Sequence, residues 1–174
     1  MVPESRVKVL HRSDVSPSAT TVNRAQRLRA LYPGGKPSPE AKAIHRRFAA
    51  GPIPRIVPFA SVLVIRGRRS GKTIQVPLVI VRYRGSWYLV SMFGEASNWV
   101  KNLRAVNGDA VLIHGRRRAV RLIGVPAAVR APIIKRYLFF AVGARPHMPV
   151  GWNEPLAAFE AVAAKYPVFL VEKT

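Results

Sequence analysis

Residues 61–92 read SVLVIRGRRSGKTIQVPLVIVRYRGSWYLVSM, and the pattern of this stretch is the most informative about the fold. Its apolar, β-branched runs are typical of strands, and short segments that carry glycine or basic residues separate them. The predicted strands are Val62–Ile65, Gln75–Arg82 and Trp87–Met92, joined by turns at Gly67–Lys72 and Tyr83–Ser86. Because both connections are short, they favour hairpins over helical crossovers. The stretch therefore predicts an antiparallel meander.

Toward the C-terminus, helical and strand patterns alternate. Ser97 stands where an N-cap begins a helix, predicted over Asn98–Val106 and ended by Asn107-Gly108. The remaining predicted elements are strands Ala110–His114 and Ala119–Ile123 across a turn at Gly115–Arg118, helices over Pro126–Phe140 and Pro155–Lys165, and a closing strand Val168–Val171. Five to six mostly antiparallel strands with flanking helices predict an α+β barrel and argue against a doubly wound parallel sheet.

The first 55 residues are predicted to be a basic extension of a barrel domain that spans residues 56–174. Residues 1–21 are rich in Ser, Thr, Pro and basic side chains, which favours a mobile arm. A short helix over Val22–Leu31 follows. A second helix begins at Ser38-Pro39, where the serine can cap and the proline fits the first turn, and it ends before Gly51.

Composition restricts the classes of function. The chain has 29 Lys and Arg against eight Asp and Glu, a formal net charge of +21, which indicates an anionic partner: nucleic acid, an anionic membrane surface, or a phosphorylated or polycarboxylated small molecule. It has no Cys, which excludes disulfides, thiolate metal sites and a cysteine nucleophile. No apolar stretch approaches the roughly 20 residues of a membrane span, and the N-terminus lacks a secretory signal pattern, so we expect a cytoplasmic protein.

The segment Gly67–Lys72 is similar in composition to a phosphate-binding P-loop but differs from it in two respects. Its glycines are one residue too close together, and a strand follows where a P-loop needs a helix. ATP and GTP binding are therefore rejected. A glycine-bracketed turn with two guanidinium groups still suits a phosphate or carboxylate tail, with a solvated basic hairpin as the alternative.

Side-chain catalysis is poorly provided for, because the four histidines are scattered singly and the few carboxylates are dispersed. A bound redox cofactor would remove the need for such groups. A second basic cluster, Arg116–Arg118 with Arg121, falls on a predicted hairpin. Without a recognition motif, nucleic-acid binding would rest on charge alone and would be nonspecific.

Two motifs resemble those of the deazaflavin-dependent nitroreductase and quinone reductase family, which uses coenzyme F-420. The first is Arg66-Gly67-Arg68-Arg69-Ser70-Gly71-Lys72 with Pro77-Leu78 six residues after the second glycine. The second is Asn98-Trp99-Val100-Lys101-Asn102-Leu103-Arg104-Ala105, similar to a Trp-x-x-Asn-Leu-basic-Ala helix. The resemblance runs from about Ser61 to Ile123 and returns at Lys165–Val168.

This resemblance implies a split β-barrel of the FMN-binding type and an F-420 site. The implied cofactor-binding residues are Arg68, Arg69, Ser70, Gln75, Val76, Pro77, Leu78, Val90, Ser91, Met92, Phe93, Trp99 and Asn102. The implied reaction transfers a hydride from the reduced deazaflavin to a quinone-like or nitroaromatic acceptor, with Ser91 or a bound water as the proton source. An arginine-rich pocket mouth agrees with the phosphate and polyglutamate tail of F-420.

The chain departs from the family pattern at three places. Members commonly carry a basic residue where Ile74 stands, a lysine near Phe93, and a tyrosine where this chain has Trp152–Pro155. The alternative hypothesis is a noncatalytic or weakly active relative that binds a lipid, a fatty acid or FMN at an anionic membrane surface. Peripheral contact with the inner face of the plasma membrane and homodimer formation are left open by the sequence.

Overall fold

The β-branched runs of the sequence form the wall of a barrel in the computed structural model, which describes residues 19–174. The strands are β1 (Ala60–Arg66), β2 (Thr73–Tyr83), β3 (Ser86–Val90), β4 (Asp109–His114), β5 (Arg116–Gly124) and β6 (Val168–Lys173). The α-helices are α1 (Ala19–Ala30), α2 (Pro39–Ala50), α3 (Ile53–Ile56), α4 (Asn98–Ala105), α5 (Ala131–Phe140) and α6 (Leu156–Val162). Short 3-10 turns lie at Pro33–Gly35, Gly94–Ala96, Ala127–Val129, Val142–His147 and Ala163–Lys165.

The six strands close in the order β1-β2-β3-β6-β5-β4, and every neighbouring pair is antiparallel. The predicted hairpins β1–β2 and β2–β3 are both present, and β6 closes the barrel between β3 and β5. The prediction of an α+β split barrel is therefore confirmed. Closure removes the free sheet edges that an open meander would expose.

The barrel interior and its outer face are both apolar, which explains the unbroken apolar run of β1. Leu63 and Ile65 belong to the interior cluster of the barrel. They share it with residues of α4, which packs into the barrel interior through Trp99, Val100 and Leu103. On the same strand, Val62 and Val64 form an outer cluster with Ala49 of α2. A strand buried on both faces lacks the alternation of apolar and polar residues that marks a half-exposed strand.

Helices α5 and α6 pack against another region of the barrel wall. Ile134, Leu138 and Phe159 are fully buried there against Val81 and Val168 of the barrel wall. At the N-terminal side, the buried Pro54 of α3 accepts a hydrogen bond from the backbone of Gly115, so this helix is tied to the β4–β5 turn. No helix in residues 19–174 is long and apolar enough to cross a bilayer.

Several predicted local features differ from the structure. The β4–β5 turn consists of Gly115 alone, at φ 66°, so Arg116–Arg118 lie in β5 and not in a turn. Ser97 precedes α4 but makes no capping bond. The helices predicted from Pro126 and from Pro155 each consist of an α-helix joined to a 3-10 turn. The mobile-arm prediction concerns residues outside those described, except Ala19–Thr21, which begin α1.

The cap of α2 is confirmed, since the Ser38 side chain accepts a hydrogen bond from the Ala41 backbone at 3.1 Å and Pro39 opens the helix. This cap fixes where α2 begins. The helix therefore enters the structure at a defined point beside β2, and its buried Ala41 and Ala49 lie on the side that faces the protein. Its outer residues carry the basic side chains.

Candidate functional site

A groove of about 1120 Å³ lies between the N-terminal helices and the barrel, and it is the candidate site. It is large for a single small ligand, because typical ligand pockets occupy roughly 300–1,000 Å³. Its walls are the end of α1, one side of α2, the run Thr73–Val79 of β2, the end of β3 with Met92 and Phe93, the start of α4, and Phe140–Ala144 at and after the end of α5. The groove therefore exceeds the volume that one small ligand usually needs.

The β2 wall contains four of the residues that the resemblance implied, Gln75, Val76, Pro77 and Leu78. The wall is held to β1 by a full antiparallel register and by one buried side chain. Ser61 donates its hydroxyl to the carbonyl oxygen of Leu78 at 2.9 Å. A wall fixed in this way presents an apolar surface that does not need to reorganise when a flat ring packs against it.

The basic turn Gly67–Lys72 lies at one end of this wall and has a defined shape. The Gly71 backbone donates to Gly67 and the Gly67 backbone donates to Lys72, each at 2.8 Å. Gly71 has φ 65°, a conformation that favours glycine. A Cβ on Gly67 would lie 2.9 Å from Ile74 Cδ1 and Ser70 Oγ, so both of these side chains would have to move to admit one. Arg68, Arg69 and Ser70 are exposed on the turn and do not line the groove itself.

The turn and helix α4 are joined by one buried amide. The Oδ1 atom of Asn102, whose side chain is buried, accepts hydrogen bonds from Arg68 Nη1 at 2.8 Å and from the Arg68 backbone at 3.3 Å. One turn earlier on the helix, Trp99 lines the groove and packs edge-on against Phe169 at 5.4 Å. The structure therefore places the arginine turn, Asn102 and Trp99 together at one end of the groove.

Ser91, the predicted proton source, lies away from the groove wall. It is 1% exposed, and its hydroxyl donates to the Gly94 carbonyl at 2.9 Å and pairs with Ser97 Oγ at 2.7 Å. This pairing explains why Ser97 does not cap α4. Its hydroxyl is engaged with Ser91, and only Ser97 of the two lines the groove.

The β3 residues and those that follow occupy different depths. Val90 is buried and contributes to the groove wall from the core. Met92 and Phe93 also line the groove. The Phe93 ring packs against Tyr32 at 5.2 Å and against His147 at 5.0 Å. The position where the family commonly has a lysine nearby is therefore part of an aromatic cluster in this chain.

Sequence reasoning missed Tyr32 and His45, which face the groove together. Tyr32 Oη lies 2.8 Å from His45 Nε2. Burial raises the pKa of Tyr32 and lowers the pKa of His45, so the phenol and the imidazole are both neutral near pH 7. The two residues are 13 apart, across the end of one helix and the middle of the next, and no pattern in the sequence marks them as a pair.

The charge around the groove is positive. Lys42 and Arg46 line it from α2, and Arg68, Arg69 and Lys72 are exposed on the turn that immediately precedes the groove-lining Thr73. Among the described residues, no Asp or Glu lines the groove. Such a mouth attracts anionic ligands and strengthens their binding. Within the same described part of the chain, no group of three or more His, Asp or Glu side chains is arranged to hold a metal ion.

Comparison with solved structures finds distant similarity in this fold. An F420-H2-dependent reductase is 22% identical, with 66% of this chain and 94% of that chain covered and a TM-score of 0.40. A FAD-binding protein from Mesorhizobium loti is 15% identical, with 70% and 85% covered and a TM-score of 0.44. The ChuZ protein of Campylobacter jejuni is 9% identical, with 91% and 63% covered and a TM-score of 0.46.

These structural similarities are too distant to assign a function, and no curated protein matches the chain. A sequence model of a protein family does match, over residues 40–139, and its description is F420H(2)-dependent quinone reductase. The match spans α2 through α5 and includes the arginine turn, the β2 wall and the Trp99 helix. It extends further toward the N-terminus than the motifs alone indicated. This chain therefore belongs to the F420H(2)-dependent quinone reductase family and is an F-420-dependent oxidoreductase.

Proposed function

We propose that the protein transfers a hydride from reduced coenzyme F-420 to a quinone-like or nitroaromatic acceptor bound in the same groove. One observation carries this proposal. The arginine turn is fastened by Asn102 to the helix that presents Trp99, so a cationic anchor and an apolar wall meet at one end of a groove. An anionic tail and a flat apolar ring system on one ligand require this combination.

The residues present fit the cofactor. Arg68, Arg69 and Lys72 are the groups that would hold its phosphate, since they are exposed cations on a turn of fixed shape. Lys42 and Arg46 at the mouth would attract the carboxylates of its tail. Val76, Pro77 and Leu78 with Trp99 would pack against the ring system. When bound, the reduced cofactor supplies a hydride, which is chemistry that no side chain provides.

The protein's own residues contribute orientation and exclusion of water. The rigid β2 wall and the buried indole would restrict the orientation of a flat ligand, which would reduce the entropy cost of the reaction. Leu28 and Leu31 of the N-terminal segment lie on the groove opposite the barrel and reduce the access of water. The cofactor-binding assignment of Val90, Met92 and Phe93 remains a proposal on the same grounds.

The test is a matched pair of tryptophan substitutions. Gly143 lines the groove, and a Cβ there meets no atom within 4 Å, so Gly143→Trp adds bulk to the groove without a backbone clash. Gly124 at the end of β5 is equally open but lies outside the groove. We expect Gly143→Trp to weaken F-420 binding, measured by its fluorescence, and to slow oxidation of reduced F-420 by menadione, plumbagin or a nitroimidazole.

Gly124→Trp should leave both measurements unchanged. Failure of the wild-type protein to bind F-420 or to oxidise its reduced form with any of these acceptors would refute the proposal. Titration with FMN in parallel tests the alternative cofactor. Binding of FMN in preference to F-420 would favour a flavin-binding or lipid-binding relative over the reductase.

We further propose a membrane-facing surface next to the groove. Phe139 is 56% exposed and Trp152 is 42% exposed, and Arg136 and Arg145 lie over neighbouring rings at 5.6 and 4.9 Å. Phe140 lines both the groove and a cleft that it shares with Arg136, Phe139 and Trp152. Exposed aromatic rings beside cations are typical of contact with an anionic bilayer, from which a lipophilic quinone would enter.

Flotation with anionic and neutral liposomes tests this surface. We expect the wild type to float with anionic vesicles and a Phe139→Ser, Trp152→Ser variant to float less. Ile123→Ser, which removes a 40% exposed apolar residue from β5, serves as the control and should float like the wild type. Equal flotation of all three proteins, or none, would refute the surface while leaving the reductase proposal intact.

A further inference from the structure

The groove contains a hydrogen-bonded pair, Tyr32 and His45, that the cofactor site does not use. Tyr32 lies between α1 and α2, and His45 lies on the second turn of α2. Their Oη and Nε2 atoms are 2.8 Å apart, and both side chains line the groove. Tyr32 lies outside the residues 40–139 that match the family model, whereas His45 lies within them.

Reduction of a quinone to a hydroquinone requires a proton in addition to a hydride. Delivery of a hydride alone leaves a negative charge on the acceptor oxygen, and a positioned acid lowers the barrier to that step. The groove offers few candidates for such an acid. No carboxylate among the described residues lines it, and the hydroxyl of Ser91 donates to the Gly94 carbonyl away from the wall.

We propose that Tyr32 is the catalytic residue that protonates the acceptor, and that His45 positions the phenol and returns a proton to it. This inference rests on the proposed function. The acceptor gains two electrons and one hydrogen as hydride from reduced F-420. The Tyr32 O–H bond breaks as an O–H bond to the acceptor oxygen forms. His45 then gives its Nε2 proton to the phenolate while its Nδ1 takes one from solvent.

The pair requires the tautomer of His45 that carries its proton on Nε2, because the imidazole then donates to Tyr32 and leaves the phenolic proton free for the acceptor. Burial keeps the pKa of the phenol above its ordinary value, so the acid is fully protonated at neutral pH. Burial also lowers the pKa of His45, so the imidazole is neutral at neutral pH and its Nδ1 carries no proton in this tautomer.

The neighbouring groups support a neutral pair with positive surroundings. Lys42 and Arg46 share α2 and line the same groove, and Arg29 of α1 is close enough to His147 to lower its pKa. The His147 ring packs edge-on against Tyr32 at 5.5 Å, and burial, together with the nearby Tyr32 phenol, raises the pKa of Tyr137 of α5. Positive charge near a developing oxyanion stabilises it.

The decisive experiment compares two kinds of acceptor. Menadione needs a hydride and a proton, whereas the methylene blue cation becomes its neutral leuco form on gaining a hydride alone. We expect Tyr32→Phe to lower kcat with menadione by about 10²-fold, the low end of general acid catalysis, and to change kcat with methylene blue by less than about threefold. Tyr88→Phe, which removes a phenol outside the groove, is the control and should behave like the wild type with both acceptors.

A second readout does not depend on the loaded enzyme. In the cofactor-free protein, NMR titration of the His45 ring should show a different pKa in Tyr32→Phe from that in the wild type and in Tyr88→Phe. Should Tyr32→Phe fold poorly, His45→Leu replaces it, with an expected loss of about tenfold that is again confined to menadione.

Equal losses with both acceptors, or no loss with menadione, would overturn the assignment of Tyr32. An unchanged His45 pKa would also overturn it, because the hydrogen bond would then be absent in solution. These outcomes differ from failure of the proposed function, which appears as inactivity of the wild type with both acceptors.

Discussion

Replacement of Asn102 by alanine tests whether the arginine turn must be held in place for F-420 to bind. Asn102 Oδ1 accepts two hydrogen bonds, one from the Arg68 guanidinium at 2.8 Å and one from the Arg68 backbone at 3.3 Å. Hydrogen bonds to charged groups contribute roughly 1.5–3 kcal/mol and ordinary ones about 0.5–1.5 kcal/mol. Because Arg68 is exposed and the second hydrogen bond is long, the lower limit of each range applies to these two hydrogen bonds. Together the two hydrogen bonds contribute about 2 kcal/mol.

Loss of these two hydrogen bonds should weaken ligand binding more than it lowers the free energy of unfolding. A turn released from α4 spends only part of its time in the binding arrangement, and the apparent Kd rises in inverse proportion to that fraction. Since about 1.4 kcal/mol corresponds to a tenfold change, about 2 kcal/mol corresponds to about 30-fold, and we expect Asn102→Ala to weaken F-420 binding by up to about that factor. Fluorescence titration of F-420 measures this effect, and circular dichroism confirms that the variant is folded.

Arg69→Ala is the matched control because it removes a cation from the same turn without touching Asn102. Its loss of affinity should shrink as salt is added, since the interaction of an exposed charge is screened. The loss in Asn102→Ala should persist at high salt because it arises from position and not from charge. If Asn102→Ala binds F-420 as tightly as the wild type at both salt concentrations, the idea that a positioned turn anchors the cofactor is wrong.

Three further predictions follow from the same contacts. Ile74→Arg should tighten F-420 binding by about tenfold or less in fluorescence titration, because a guanidinium at the groove wall beside Gly67 adds one anion contact; weaker binding would contradict this. Ser91→Ala should lower the free energy of unfolding in urea by roughly 1–3 kcal/mol, since it leaves Ser97 and Gly94 without their hydrogen-bond partner. The folded variant should still reduce menadione at the wild-type rate. A selective loss of turnover would instead support Ser91 as the proton source. Burial lowers the pKa of His45 and of His147, so the unfolded state binds more protons than the folded state between the ordinary pKa of 6.5 and the lowered pKa values. Thermal stability should therefore fall as the pH drops below about 6.5. His147→Gln should lessen that fall, as thermal unfolding at several pH values would show.

Local sequence patterns were sufficient to predict the barrel strands and two parts of the site, the basic turn and the helix that carries Trp99. The strands of residues 61–92 follow from β-branched runs between glycine turns, and the Trp99 helix follows from its apolar spacing. These features depend on neighbours in sequence, so sequence alone reveals them. The error at Arg116–Arg118 has the same origin. One glycine with positive φ is enough for the turn, and the arginines extend a strand that charge alone would have assigned to a loop.

The antiparallel barrel, the basic turn and the likeness to F-420-dependent reductases could all be inferred from residue patterns. The pairing of polar atoms became evident from the folded chain alone. Arg68 reaches Asn102 across 34 positions, Ser97 turns from its cap to Ser91, and Tyr32 pairs with His45 at the groove wall. Each of these contacts requires the barrel to close and the helices to pack on it, because hydrogen bonds between distant residues depend on the distance between atoms and not on spacing along the chain.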